Sequence, residues 1–127
     1  MLRVLLVDDE PAILRLLQTI LALAEFEVQT SPSAADAVGR LRTEHFHAVV
    51  TDMRMETATA GYDVVKAAAK LQPRPKIVIL TAFPIPATQW KPSGADALIV
   101  KGTDICKLPE QLRNLIQPQA GKGAGRR

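Results

Sequence analysis

Five short apolar runs alternate with segments of helical period along the chain, and this alternation constrains the fold more than any other feature. The runs cover residues 4–7, 26–30, 48–50, 77–80 and 97–100. Most are rich in Val, Ile and Leu and lack the polar–apolar alternation of a half-exposed strand. Runs of this kind are typical of strands buried on both faces of a parallel sheet.

The segments between the runs predict helices. Apolar residues recur at helical spacing in residues 11–24, 33–42 and 63–71, and again in a short helix that starts near Pro109. The fourth helix is restricted to the residues between Pro86 and Lys91, because proline inside a helix costs about 3 kcal/mol. Five βα units predict an α/β protein with three layers: a doubly wound, five-stranded parallel sheet with helices on both faces.

Length and composition narrow the class of protein. The chain has 127 residues, which suits one domain. The apolar stretch at residues 16–24 is about half of the ~20 residues that a membrane-spanning helix needs, and no signal peptide precedes it. Cys106 is the single cysteine and has no partner for an internal disulfide. We therefore expect a cytoplasmic protein without membrane contact.

The net charge of +3 comes from the end of the chain. Lys122, Arg126 and Arg127 lie there, and residues 1–117 carry 13 basic and 13 acidic side chains. The last residues are rich in Gly and lack apolar periodicity. We predict a folded domain over residues 1–117, a flexible basic tail over residues 118–127, and no direct nucleic-acid binding by the folded domain.

Charged and hydroxyl side chains follow four of the five runs. Asp8 and Asp9 follow the first run, Asp52 the third, Thr81 the fourth and Lys101 the fifth. In doubly wound sheets the ligand site lies at these carboxyl ends. Adjacent carboxylates there favour a hard divalent cation such as Mg²⁺. A cation, an ammonium and a hydroxyl around one carboxylate suit phosphoryl transfer onto that carboxylate.

Four motifs carry a family resemblance: VLLVDDEP, AVVTDMRM, KIVILTA and GADALIVKG. Steps of 44, 29 and 20 residues separate Asp8, Asp52, Thr81 and Lys101. Over residues 2–117 the chain resembles the receiver domain of bacterial two-component response regulators. The resemblance implies the flavodoxin-like strand order 2-1-3-4-5. We expect a stand-alone, chemotaxis-regulator-like receiver, because ten residues follow the domain.

The resemblance also implies roles for the metal-binding and acceptor residues. Asp52 would be the phosphoacceptor, supplied by a histidine kinase or a phosphotransfer protein. Asp9 would bind Mg²⁺ directly and Asp8 would help through water. Asp52 and the backbone carbonyl of Arg54 would complete the protein ligands.

Three further residues would serve the phosphoryl group. Lys101 would pair with it, Thr81 would hydrogen-bond it and report its arrival, and the small Ala82 would leave room for its approach. The protein would not be an enzyme in its own right. It would signal through contacts with an unknown downstream protein, with a homodimer as an option.

The chain departs from the family pattern at several positions. Glu56 follows Met55 where the family usually has proline, and Gly61 comes nine residues after Asp52 instead of eight. Gly102 replaces the proline after the lysine, where the family usually has a cis bond. Because a cis bond without proline costs ~2.5–4 kcal/mol, we predict a trans bond or a rearranged turn, and such a change could move the Lys101 ammonium. Leu98 stands where receivers commonly have a Tyr or Phe whose ring turns inward when the threonine moves toward the phosphoryl group, so a simpler packing change has to replace that movement.

Other interpretations stay open. The departures at Glu56, Gly102 and Leu98 motivate a pseudo-receiver that binds partners with weak or no phosphorylation. Asp52 and Lys101 would then form a structural ion pair, and the acidic residues after the first run would cap a helix. A phosphatase resembling the haloacid dehalogenases is disfavoured, because it needs a second aspartate two residues on, where this chain has Glu10 or Arg54.

Four peripheral residues receive simpler interpretations. His45 and His47 have no ligand partners at metal-site spacing and are read as surface residues. Cys106 is read as a packing residue. Trp90 either anchors a partner or covers the shortened fourth helix, and we favour the second interpretation.

Overall fold

The computed structural model describes residues 1–118, which contain a parallel sheet of five strands with helices on both faces. The strands are β1 Arg3–Val7, β2 Glu27–Ser31, β3 Ala48–Thr51, β4 Lys76–Thr81 and β5 Ala97–Val100. The helices are α1 Pro11–Leu23, α2 Ala34–Thr43, α3 Ala60–Ala69, α4 Ala87–Trp90 and α5 Leu108–Ile116. Residues 119–127, most of the predicted tail, lie outside the described part of the chain.

The strand order is β2-β1-β3-β4-β5, and every neighbouring pair is parallel. The predicted fold class and strand order are therefore confirmed. Predicted and observed strands agree to within a residue at each end. The largest error concerns α3, which begins at Ala60, three residues before the predicted start.

Alternate residues of the central strands build two separate core layers. Leu5 and Val7 of β1 pack with residues of α2 and α3 on one face. Val4 and Leu6 pack with residues of α1 and α5 on the other face. Because successive side chains of a strand point to opposite faces, a strand covered on both sides has to be apolar throughout. This requirement explains the continuous apolar runs in the sequence.

The fourth helix is short, as the prolines predict. Helix α4 has 4 residues and continues into a 3₁₀ turn over Lys91–Ser93. Gly94 ends this turn with a φ of 103°, a conformation that favours glycine. Trp90 is half-buried and packs against the core layer of α2 and α3. This position agrees with a tryptophan that covers a shortened helix.

Among the peripheral residues, the two histidines were interpreted correctly and Cys106 was not. His45 and His47 are exposed, as predicted, and His47 Nδ1 accepts a hydrogen bond of 2.9 Å from the Arg3 amide. The packing role predicted for Cys106 is wrong, because its side chain is exposed. The segment forms a 3₁₀ turn over Thr103–Lys107 in which Ile105 faces the core instead. Within residues 1–118, no helix is long and apolar enough to cross a membrane.

Candidate functional site

Backbone hydrogen bonds at the strand ends align the site residues along the carboxyl edge of the sheet. The Asp52 amide donates to the Val7 carbonyl at 2.8 Å, so the residues that follow β1 and β3 lie side by side. The Lys101 amide donates to the Thr81 carbonyl at 2.7 Å and joins the ends of β4 and β5 in the same way. The sheet therefore brings together residues that are far apart in the sequence.

Lys101 forms ion pairs with two buried carboxylates. Its Nζ lies 2.8 Å from Asp8 Oδ2 and 3.3 Å from Asp52 Oδ2. The side chains of Lys101, Asp8 and Asp52 are 13%, 2% and 10% exposed, respectively. Glu10 Oε1 is more distant, at 3.9 Å from the ammonium, and its side chain is 65% exposed. One ammonium thus faces two desolvated carboxylates.

The pKa shifts show that this charge balance is incomplete. Burial raises the pKa of Asp52, and the nearby Asp8 carboxylate raises it further, against the opposing effects of Lys101 and of the Met53 amide. Burial also acts to lower the pKa of Lys101, but its hydrogen bond to Asp8 and the charges of Asp8 and Asp52 raise it overall. Lys101 therefore stays charged, and the site holds more negative charge than Lys101 offsets.

Three carboxylates stand close enough to share a metal ion. Oxygens of Asp8, Asp9 and Asp52 lie within 4.8 Å of one another, with Asp9 exposed and the other two buried. Asp8 Oδ1 accepts a hydrogen bond of 3.0 Å from the Glu10 amide, which fixes the orientation of that carboxylate. Hard oxygen donors with uncompensated negative charge fit Mg²⁺. Helix α1 has no side-chain cap, so these aspartates do not act as helix caps.

An open cleft of about 320 Å³ lies over these groups, which we call the carboxyl-edge cleft. Its lining residues are Asp9, Glu10, Asp52, Arg54, Thr81, Ala82, Phe83 and Lys101. Thr81 is buried and its hydroxyl accepts a hydrogen bond of 3.4 Å from the Phe83 amide. Ala82 is exposed in the cleft, so nothing larger than a methyl group projects there from that position.

Phe83 and Arg54 flank the cleft together, a feature that sequence reasoning missed. The Arg54 guanidinium carbon lies 5.7 Å from the centre of the Phe83 ring, and Phe83 is 64% exposed. Such a contact contributes about 0.5–1 kcal/mol at an exposed site. The signal in the sequence was an aromatic residue between Ala82 and the proline-rich segment, where an apolar side chain has no core to enter.

The replacement of proline by Gly102 does not displace the ammonium. The Lys101–Gly102 peptide bond is trans, as predicted, and Gly102 has a φ of 110° and a ψ of −123°. Proline, with φ locked near −65°, cannot adopt this conformation. The rearranged turn still leaves Lys101 in direct contact with Asp52. This departure from the family pattern therefore keeps the lysine at the site.

Glu56 has a role that sequence reasoning missed. Its two carboxylate oxygens accept hydrogen bonds from the amides of Ala34 and Ala35, at 2.9 and 3.0 Å. These bonds lower the pKa of Glu56. No signal in the sequence points to this contact, because Glu56 and the start of α2 are 22 positions apart and only the tertiary structure brings them together.

Gly61 and Leu98 complete the surroundings of the site. A Cβ atom at Gly61 would lie 2.3 Å from the Asp52 carbonyl oxygen, so the backbone of α3 approaches the end of β3 too closely for any other residue. Leu98 is half-buried and packs against the core layer of α2 and α3, as Tyr62 and Trp90 do. No aromatic ring occupies position 98 to turn inward.

Comparison with known proteins agrees with this fold. The family model for the response regulator receiver domain matches residues 4–113. The chain therefore belongs to the receiver domain family of response regulators, which act in two-component systems.

Curated proteins of similar sequence include transcriptional regulators and probable ones. The chain is 32% identical over 117 residues to the probable transcriptional regulator ycf27 of Cyanophora paradoxa, covering 91% of this chain and 48% of that protein. It is 30% identical over 121 residues to the transcriptional regulatory protein GlrR of Escherichia coli (strain K12), covering 91% of this chain and 26% of that protein. The chain thus spans half or less of these curated relatives.

Two solved structures are similar over almost their whole length. A CheY-like response regulator receiver domain protein from Methanospirillum hungatei JF-1 has a TM-score of 0.82 at 26% identity, covering 91% of this chain and 94% of that chain. The response regulator TrrA of Thermotoga maritima, in complex with Mg²⁺ and BeF, has a TM-score of 0.80 at 28% identity, covering 91% and 99%.

Proposed function

We propose that this chain is a phosphoacceptor receiver that takes a phosphoryl group on Asp52 from a histidine kinase or a phosphotransfer protein. The observation that carries the proposal is the state of Asp52, a buried carboxylate with a raised pKa that borders an open cleft and faces a charged lysine. A structural ion pair has no need of a cleft or of a neighbouring carboxylate that raises the acceptor's pKa.

Asp9, Asp52, Asp8 and the Arg54 carbonyl are the groups that would hold Mg²⁺. The loop between β3 and α3, residues 52–59, supports this assignment. Backbone hydrogen bonds in and next to this loop are accepted by the carbonyls of Met53, Thr57 and Thr59. Within residues 1–118, none of them is accepted by the Arg54 carbonyl. Bound Mg²⁺ supplies charge neutralisation on the phosphoryl oxygens and on the crowded carboxylates.

In the transfer step, one Asp52 carboxylate oxygen forms a bond to phosphorus while the bond from phosphorus to the donor atom breaks. The electron pair of the broken bond stays on the donor atom, and the Asp52 carboxylate becomes an acyl phosphate. Lys101 stays protonated, since its pKa is raised, and pairs with a phosphoryl oxygen. The hydrogen bond of the Met53 amide to Asp52 Oδ1, at 2.8 Å, holds the carboxylate in a fixed orientation.

Thr81 and Ala82 serve the signalling step in this proposal. The Thr81 hydroxyl donates a hydrogen bond to the phosphoryl group, and the small Ala82 admits that group. With leucine at position 98, the response passes through repacking of Leu98 in the layer that also holds Trp90. The signal then leaves the domain through contacts with a downstream protein.

Incubation with acetyl phosphate and MgCl₂, followed by intact-mass spectrometry, tests the proposal. We expect one phosphoryl group per chain, lost in Asp52→Asn and when the metal is chelated. Asp63→Asn is the matched control, because Asp63 is an exposed aspartate of α3 that takes no part in the site.

Two outcomes contradict the proposal. A folded wild-type protein that stays unmodified at every donor concentration would support the pseudo-receiver, in which Asp52 and Lys101 form only a structural ion pair. Modification that persists in Asp52→Asn would place the acceptor at another residue. The open cleft beside Asp52 favours the active receiver over the pseudo-receiver, because a structural ion pair needs no such opening.

A further inference from the structure

The β3–α3 loop is fastened to α2 at its middle by one side chain. Glu56 reaches from this loop to the first turn of α2, where its two oxygens accept the Ala34 and Ala35 amides at 2.9 and 3.0 Å. The first four amides of a helix lack partners within the helix and carry partial positive charge. A carboxylate satisfies two of them at once and is held there by charge-assisted hydrogen bonds.

The same loop is fixed at its ends by backbone contacts. The Gly61 amide donates to the Met53 carbonyl at 2.8 Å, and the close approach of Gly61 to the Asp52 carbonyl leaves no space for a side chain. Between these ends, the Met55 amide donates to the Thr57 carbonyl at 3.0 Å, and the Arg54 guanidinium lies 5.7 Å from the centre of the Phe83 ring. Glu56 comes two residues after Arg54, and its carboxylate joins the middle of the loop to α2 through two hydrogen bonds.

We propose that Glu56 is a positioning residue, whose carboxylate anchors the β3–α3 loop to α2 and so presents the Arg54 carbonyl to Mg²⁺. This inference rests on the proposed function, because it assumes that the Arg54 carbonyl is a metal ligand. A loop that is one residue longer than the family pattern, and that lacks its proline, has more conformations available before the metal binds. The anchor removes those conformations, so less conformational entropy is lost on metal binding.

The first half of the test uses a matched pair of cap variants. Glu56→Ala removes the anchor. Ser33→Ala removes a cap of the same helix whose hydrogen bond is local to α2, because Ser33 Oγ accepts from the Asp36 amide at 3.0 Å. Each variant loses a cap of α2, so a purely structural role predicts similar effects of the two substitutions on the Mg²⁺ dissociation constant.

Two measurements follow in both variants and in the wild type. Without metal, hydrogen exchange of the Ala34 and Ala35 amides is expected to accelerate about fivefold in Glu56→Ala, the factor that corresponds to the loss of one cap. With MgCl₂ alone as the probe, NMR shifts of the Met53 and Lys101 amides give the Mg²⁺ dissociation constant. We expect this constant to rise at least about threefold in Glu56→Ala and to stay unchanged in Ser33→Ala.

Glu56→Gln keeps the length of the side chain and one acceptor oxygen, and it is expected to retain most of the Mg²⁺ affinity. It also serves as the test if Glu56→Ala does not fold. Equal dissociation constants in the wild type and Glu56→Ala, or an equal rise in Ser33→Ala, would overturn the positioning role alone. A wild-type protein whose amides do not respond to MgCl₂ would overturn the proposed metal site and, with it, this inference.

Discussion

Two edges of the sheet each hold one cation between two carboxylates, and they differ in almost every other respect. At the amino edge, Arg3 pairs with Glu27 at 2.9 Å and with Glu44 at 3.1 Å. At the carboxyl edge, Lys101 pairs with Asp8 at 2.8 Å and with Asp52 at 3.3 Å. The amino-edge side chains are 27–46% exposed, whereas those of the carboxyl edge are 2–13% exposed.

The cation decides what each cluster is able to do. The guanidinium of Arg3 also donates to the His45 carbonyl and lies 4.8 Å from the centre of the Phe46 ring, so its donors are used within the protein. Hydrogen bonding to Glu44 raises the pKa of Arg3. The ammonium of Lys101 is a point charge shared between two buried carboxylates, and an open cleft adjoins it. The charges at the amino edge are paired within the protein and serve its structure. At the carboxyl edge, the negative charge that Lys101 does not offset is available to bind a ligand.

Gly61→Ala is expected to give the largest effect, because it acts on the backbone of Asp52. The added methyl group would meet the Asp52 carbonyl oxygen at 2.3 Å and Met53 Cα at 2.7 Å. We expect a loss of about 3 kcal/mol in the free energy of unfolding, measured by urea denaturation. Gly39→Ala is the control, since its Cβ meets nothing within 4 Å, and it should stabilise α2 by roughly 0.5–1 kcal/mol. A neutral Gly61→Ala would show that the loop shifts freely.

Lys101→Met is expected to rank second, because it leaves two buried carboxylates without a cation. We expect a loss of about 2 kcal/mol, against about 1 kcal/mol for Arg3→Met at the more exposed edge. MgCl₂ should then raise the melting temperature of Lys101→Met more than that of the wild type, since no ammonium repels the metal. Arg3→Met should respond to MgCl₂ as the wild type does. An identical response in all three proteins would remove the distinction between the edges.

Asp52→Asn is expected to rank third among the substitutions near the acceptor, and its effect has the opposite sign: it should stabilise the metal-free protein by about 1 kcal/mol, or about 3 °C in melting temperature. Burial and Asp8 raise the pKa of Asp52, so the folded state binds its proton more tightly than the unfolded state does. Stability from this group is present below about pH 4 and is lost as pH rises through the raised pKa. The gain should therefore be seen at neutral pH and vanish below about pH 4.

Glu44→Gln is the matched control at the other edge. Glu44 accepts from Arg3 and from Arg40, at 3.1 and 3.3 Å, and the loss of these exposed ion pairs should destabilise the protein by about 0.5 kcal/mol. Opposite signs for the two neutral substitutions would confirm that only the carboxyl edge carries uncompensated charge. A destabilising Asp52→Asn would show that Lys101 outweighs burial and Asp8.

Residues close in sequence explain where prediction succeeded. Apolar runs and helical spacing depend on neighbours along the chain, so β1 to β5 and the short α4 were found correctly. The start of α3 was placed too late, because no strong cap marks it: Thr59 forms no side-chain cap bond. Cys106 was misread because its apolar neighbours did not show which side of the 3₁₀ turn faces the core.

The sequence by itself determined the parallel sheet and the membership of the carboxyl edge. The carboxyl ends of parallel strands lie at the same edge of a sheet. Once the five runs are interpreted as strands, Asp8, Asp52 and Lys101 therefore have to lie close together. Tertiary structure alone decided how those charges are balanced. Burial and distance set the raised pKa of Asp52. The contact of Glu56 with α2 joins residues 22 positions apart, and nothing local in the sequence encodes such a distance.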